Sequence, residues 1–300
     1  MDTRNVIAKG WPVRWALKLG RFFPAWGAQS IARLGAWLIM ILKPDTYRAA
    51  RVNLRHVLGA QTSSRELNRV LYQLFVNTLR RYYEFFYNLS RERTQADHFT
   101  PPTYVTEATK THIQQAVDAG RGLFVLATHT SNFDFGGIAL SQYMPVPLQV
   151  LSLADPTADM EIFNELRVKC GVMMTPITAN TLRDAMERLR KGGAVATGPD
   201  HPIGADDKAV EFFGATAYLP TGYIRIPMRT HSPVMIIAIH YEDSAYWVSG
   251  SRLIEMVDTG NRKQDEAVNL YRVLSQVEDV IRLHPEEWMM FVPVWKEDGK

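Results

Sequence analysis

The sequence has one cysteine in 300 residues, Cys170. No disulfide can form within the chain and a cysteine-rich metal site is excluded, which suits a reducing compartment. Long apolar runs are also missing. Phe22 to Leu42 contains Pro24, Gly27, Gln29, Arg33 and Gly35, and its cleanest stretch, Leu34 to Leu42, has only nine residues. A membrane span needs about 20 mainly apolar residues. A helix lying in or dipping into a membrane interface is therefore expected over a spanning one. No small-residue cleavage site follows the run, so a signal peptide is not expected. There is no G-x-x-x-x-G-K-[ST], no strand–helix G-x-G-x-x-G, no G-x-S-x-G and no H-E-x-x-H, which disfavours nucleotide hydrolysis, nicotinamide chemistry, a serine-nucleophile hydrolase and a zinc hydrolase. No repeat or low-complexity tract stands out, and 46% of the residues are apolar, enough for a sizeable core.

Acidic residues are scarce at the start. Residues 1–60 hold ten basic side chains against Asp2 and Asp45, whereas the whole chain carries only +3. The rest of the chain is therefore net acidic. The same segment holds Trp11, Trp15, Trp26 and Trp37, four of the seven tryptophans. Basic residues interleaved with indole rings suit an anionic membrane surface, each Lys or Arg adding roughly 1 kcal/mol. A basic arm packed on the protein is the plainer reading. Nucleic acid fits less well with large aromatics so closely interleaved, and none is expected as a partner.

The first hundred residues read as helical. Ser63 and Glu66 make a capping signal for a helix from about Ser64 to Tyr87, with Leu67, Val70, Leu71, Leu74, Phe75, Leu79, Tyr82 and Phe86 at helical spacing. A polar linker ending in Pro101-Pro102 divides this region from a second, 101–300. There, short apolar strands (122–127, 148–153, 172–177, 194–197, 234–240) alternate with helices (107–119, 158–170, 181–191, 265–283), and glycines follow several helix ends. That alternation predicts an α/β sheet with helices on both faces and ligands beyond the carboxyl ends of strands. His129 and Asp200 both fall just past strand ends.

The chemistry centres on Thr128-His129-Thr130-Ser131-Asn132-Phe133-Asp134. On one continuous helix His129 and Asp134 would lie about 140° apart. With His129 on the strand-to-helix turn and Asp134 in the first helical turn they can meet, the carboxylate orienting the imidazole. Such a base without its own serine or cysteine suits a reaction whose nucleophile is a substrate hydroxyl. A structural histidine is the alternative reading of the spacing alone. Gly136 and Gly137 would allow close approach of helix and ligand.

LATHTSNFDFGG resembles the first block of the lysophospholipid-acyltransferase superfamily, and within it the bacterial lipid A late acyltransferases and the related phosphatidylinositol mannoside acyltransferases. The resemblance extends through Tyr47–Arg55, Arg167 in NELRVKCG, Asp200 after GGAVATGP, the run Glu211-Phe212-Phe213-Gly214, and Pro285-Glu286-Glu287-Trp288 with Trp295-Lys296. It implies a glycerolipid acyltransferase-like α/β fold, a central mixed sheet flanked by helices, behind an N-terminal membrane-associating region. It implies acyl transfer from acyl-carrier protein or acyl-coenzyme A, without cofactor or metal, to a hydroxyl of a glycolipid, at the cytoplasmic face of the cell membrane, with peripheral attachment or a single N-terminal anchor. His129 would be the base and Asp134 its orienter. Arg167 would hold a phosphate, Asp200 would position a headgroup hydroxyl, and Asn132, Phe213 and Gly214 would line the substrate site. Two departures, Asp200-His201-Pro202 in place of an acidic pair and Pro220 among expected small residues, bear on the acceptor pocket. A silent membrane-binding module on the same scaffold, or a thioesterase or lipid hydrolase, are the competing expectations.

Overall fold

The computed structural model describes Pro24 and residues 27–154, 158–204 and 207–295. The basic, tryptophan-bearing residues 1–23 and Trp26 lie outside the described residues.

Three helices lead the chain: α1 (Gly27–Leu42), α2 (Asp45–Leu58) and α3 (Ser64–Leu89). Ser63 caps α3 by accepting the Glu66 N–H at 3.1 Å. The stripe Leu67, Val70, Leu71, Leu74 and Phe75 is buried as the periodicity predicts. Further along, the same helix also buries Arg80, Arg81 and Glu84, which apolar spacing could not foretell.

The order of polar and apolar residues in α1 is unusual. Ala28, Ala32 and Ala36 are buried, and a Cβ on Gly35 would come within 2.6 Å of Leu79 of α3. The small residues face the protein. Ile31, Leu34, Trp37, Leu38, Ile41 and Leu42 are left 43–74% exposed. Among the described residues no helix is long and apolar enough to cross a membrane.

The remaining chain runs β1 (Thr103–Val105), α4 (Glu107–Asp118), β2 (Leu123–Ala127), α5 (Phe133–Tyr143), β3 (Leu148–Ser152), α6 (Ala158–Lys169), β4 (Met173–Pro176), α7 (Ala179–Arg190), β5 (Ala194–Thr197), β6 (Lys208–Phe212), β7 (Ala215–Leu219), α8 (Arg225–Thr230), β8 (Val234–Glu242), β9 (Ala245–Gly250) and α9 (Arg262–Leu283). A seven-stranded sheet is ordered β1-β9-β8-β2-β5-β3-β4. β2, β3, β4, β5 and β8 run parallel, while β9 is antiparallel to β8 and β1 parallel to β9, so the sheet is mixed. β6 and β7 form a separate hairpin.

The sheet is covered on both faces, and β2 shows why it reads as an unbroken apolar run. Phe124 and Leu126 join the core beneath α7 and α9, with Leu189, Val273 and Val277. Leu123 and Val125 join the opposite core beneath α3, α4 and α5, with Phe85, Ile113 and Phe135. Helix α5 lies so close to β8 that a Cβ on Gly136 would sit 2.3 Å from Ile239 Cγ1, whereas Gly137 faces open space. Phe85 of α3 lies in this second core and Val57 of α2 in the first, so the leading helices share the core of the sheet region.

Candidate active site

His129 lies between the end of β2 and the start of α5. The loop carrying it is tied to three other parts of the chain. Thr128 donates its N–H to Ile237 O at 2.9 Å, and Thr130 Oγ1 accepts the Ile239 N–H at 2.9 Å, both on β8. From the segment after α9, Met289 donates its N–H to His129 O at 2.9 Å and Glu287 O accepts the Ser131 N–H at 2.7 Å. Ser131 takes a positive φ of 46°, and Asn132 Oδ1 caps α5 by accepting the Phe135 N–H at 3.3 Å. The Asn132 Nδ2 is buried without a hydrogen-bond partner. The loop is therefore fixed before any ligand arrives.

The carboxylate facing His129 is Asp200, not Asp134. His129 Nδ1 lies 2.7 Å from Asp200 Oδ1, and the His129 backbone N–H donates to Asp200 Oδ2 at 3.0 Å. Asp200 follows β5, which lies beside β2 in the sheet, so the partner comes from the adjacent strand end. Trp288 donates its indole N–H to the same Oδ2 at 2.9 Å. Asp200 is wholly buried. Burial alone would push its carboxyl up, but the His129 ring, the His129 N–H and the Trp288 N–H together hold it below the usual range. Its expected contact with a substrate hydroxyl is thus replaced by a supporting place behind the imidazole.

Asp134 sits on the first turn of α5 facing the other way. Arg81 of α3 donates to its Oδ2, and Arg167 of α6 donates Nε to its Oδ1 at 2.8 Å and approaches with Nη2 at 2.7 Å. Burial pushes the Asp134 carboxyl up, but the two guanidiniums outweigh this and keep it low. The expectation that Asp134 orients His129 is corrected by this arrangement. The angular separation of the two positions sends Asp134 toward α3 and α6. Arg167, expected to hold a phosphate, is engaged here by groups of the protein itself. Its Nη1 donates to Asn164 Oδ1 at 2.6 Å and the rest of the guanidinium serves Asp134.

Phe133 joins the two halves. Its ring meets His129 edge-on with centroids 5.2 Å apart, while Arg81 lies over it at 4.2 Å. His201 lies 5.2 Å from His129, its Nδ1 2.7 Å from Pro202 O. Gly198 completes the enclosure, since a Cβ there would stand 2.9 Å from His129 Cε1. With Nδ1 occupied and the side chain still 27% exposed, Nε2 is the nitrogen left for a substrate. An imidazole so held can accept a proton from a hydroxyl, with a buried carboxylate placed to steady the cation that would form.

Phe213 and Gly214 are the two turn residues between β6 and β7, with φ of 51° and 71°. Phe213 packs on Trp288 and Trp295 with centroids 6.3 and 6.1 Å apart. The pair therefore reaches the site through Trp288. Sequence reasoning missed Arg81 and Gly198. The first had no visible signal, being one more arginine in a long helix. The glycine preceding Pro199-Asp200 was the available hint for the second. Among the described residues no group of three or more His, Cys, Asp or Glu side chains is arranged to hold a metal ion.

Curated proteins similar to the chain carry acyltransferase names. Phosphatidylinositol mannoside acyltransferase of Mycolicibacterium smegmatis is 23% identical over 190 residues, covering 62% of this chain and 61% of its own. The protein of the same name from Mycobacterium tuberculosis is 22% identical over 190 residues, covering 62% and 58%. The chain thus spans about three fifths of the length of these curated relatives. The sequence model described as bacterial lipid A biosynthesis acyltransferase matches residues 3–297, nearly the whole length, and the chain belongs to that family.

Proposed function

We propose that the protein is an O-acyltransferase that moves a fatty acyl chain from a thioester, on acyl-carrier protein or coenzyme A, to a hydroxyl of a glycolipid. The observation that carries this reading is the His129–Asp200 pair at 2.7 Å, wholly buried on the carboxylate side and open on the imidazole side. His129 Nε2 takes the acceptor's hydroxyl proton as its oxygen attacks the thioester carbonyl carbon. The tetrahedral intermediate collapses with loss of the C–S bond, and the imidazolium returns the proton to the leaving thiolate. An ester and a free thiol result, with no cofactor consumed. Membership of the lipid A family and the names of the mannoside-acylating relatives support a glycolipid as acceptor, of lipid A precursor or phosphatidylinositol mannoside type.

The reaction belongs at a membrane surface, and we place it on the cytoplasmic face of the cell membrane. Six large apolar side chains on one face of α1 support the membrane surface, with Arg33 and Lys43 exposed on the same helix and just beyond it. A helix of this kind lies in the plane of the interface.

The test is to incubate the protein with labelled acyl-thioester and a total lipid extract of its source, beside His129→Ala and Asp200→Asn. A new acylated lipid made by the wild type and lost in both variants is the expected result. Free fatty acid alone would mean that water takes the place of the acceptor. No difference between wild type and variants would refute the base.

A further inference from the structure

The segment after α9 does more than close the core. Trp288 is almost wholly buried, and its Nε1 lies 2.9 Å from Asp200 Oδ2. That oxygen also receives the His129 N–H, while the other faces the His129 ring. The indole N–H therefore draws on the same carboxylate charge that the imidazole depends on. Among the described residues, the titratable groups beside the pair are His201, in the same loop as Asp200 and acted on by Asp207, and Tyr223, whose buried hydroxyl feels the Asp200 charge. Arg81 and Arg167 stack on Phe133 and are spent on Asp134.

We propose that Trp288 is a positioning residue that sets the basicity of His129 through Asp200. By donating to Asp200 it fixes the carboxylate in the plane that meets Nδ1. It also withdraws electron density, so that Asp200 holds the imidazolium less tightly. Remove the donor, and the carboxylate binds the imidazolium more strongly and the proton leaves His129 at higher pH. Trp295, in the same aromatic cluster, provides the comparison. Its centroid lies 6.4 Å from Trp288, and its indole donates to the Phe212 carbonyl, not to Asp200.

The inference rests on His129 being the base, and its test is read on His129 itself. The His129 ring is titrated by NMR in isotope-labelled full-length protein, its resonance assigned by its loss in His129→Gln. Trp288→Phe should raise the midpoint by about half a pH unit, and the acid limb of kcat/KM should move with it. Trp295→Phe should leave it unchanged, and Asp200→Asn should lower it. An unmoved midpoint in Trp288→Phe, with Asp200→Asn shifted as expected, overturns the role of Trp288 and leaves the His129–Asp200 pair standing. A midpoint unmoved in both sinks the pair as well. Should Trp288→Phe fail to fold, benzothienylalanine at position 288 replaces the N–H with sulfur in a ring of the same shape and makes the same prediction.

Discussion

Asp134 and Asp200 are both buried aspartates at the site, yet replacing them with asparagine should produce opposite phenotypes. Among the described residues Asp134 is the only carboxylate paired with Arg81 and Arg167, and its side chain is wholly buried, with that of Arg81 nearly so. Asp134→Asn leaves a buried guanidinium without its countercharge. Breaking a buried pair by removing one partner costs about 3–5 kcal/mol. In a domain of this size each kcal/mol moves the melting temperature by roughly 2–4 °C, so a fall on the order of 10 °C is expected. Asp200→Asn keeps an acceptor oxygen for an N–H and faces a ring that can stay neutral. Its stability cost should be smaller. What it loses is the charge that fixes the tautomer and steadies the imidazolium, a change worth roughly ten-thousand-fold in kcat in a comparable His–Asp arrangement. Thermal melts and initial transfer rates, measured below the melting range of both variants, separate the two. If Asp134→Asn melts like wild type and loses activity as completely as Asp200→Asn, the division of labour drawn from the geometry is wrong.

Glu84 gives a prediction with pH. Burial pushes its carboxyl up to about 7, with Arg80 opposing, and Tyr246 donates its hydroxyl to it. Because the folded state holds this proton more tightly than the unfolded chain, stability should fall between the ordinary carboxylate range and about pH 7, by on the order of 3 kcal/mol. Denaturant unfolding at pH 5 and pH 8 should show that difference, and Glu84→Gln should shrink it; an equal difference in the variant refutes the assignment. For the membrane face, replacing Ile31, Leu34, Leu38 and Ile41 with serine should lower binding to anionic vesicles at least tenfold in a flotation assay while the melting temperature stays near wild type. Unchanged flotation would remove α1 from the membrane. Gly198→Ala should cost activity more than stability, because the added methyl meets the His129 ring at 2.9 Å; a variant with full kcat would show that the ring has room to move.

Much of the fold was legible because its strands are buried on both faces. Runs such as Leu123–Ala127 and Val234–Glu242 announce themselves by composition. What stayed hidden lacked such a signal. β1 has three residues, and the turn between β8 and β9 is made by Asp243 and Ser244, with φ of 47° and 62° and no glycine to mark it. At the site, the motif pointed to His129, but spacing in the chain could not choose between two aspartates. The choice is made by the sheet, which sets β5 beside β2 and so brings Asp200 across 71 residues to the imidazole. Arg81 was hidden for the same reason, since helical spacing predicts burial of apolar residues and is silent about a cation whose partner lies on another element.

The hold of the segment 286–294 on the His129 loop has a temporal side. Asn53 of α2 donates to Met290 O and Val292 O and accepts the Val294 N–H, contacts that close 237, 239 and 241 residues of chain. Trp288 and Met289 reach the base only from within this clasp. A chain still on the ribosome therefore has its histidine long before it has a braced one, and the loop stays unsecured until residue 294 emerges. Contacts of such sequence separation form late. An incomplete chain would carry His129 without the clasp that braces its loop.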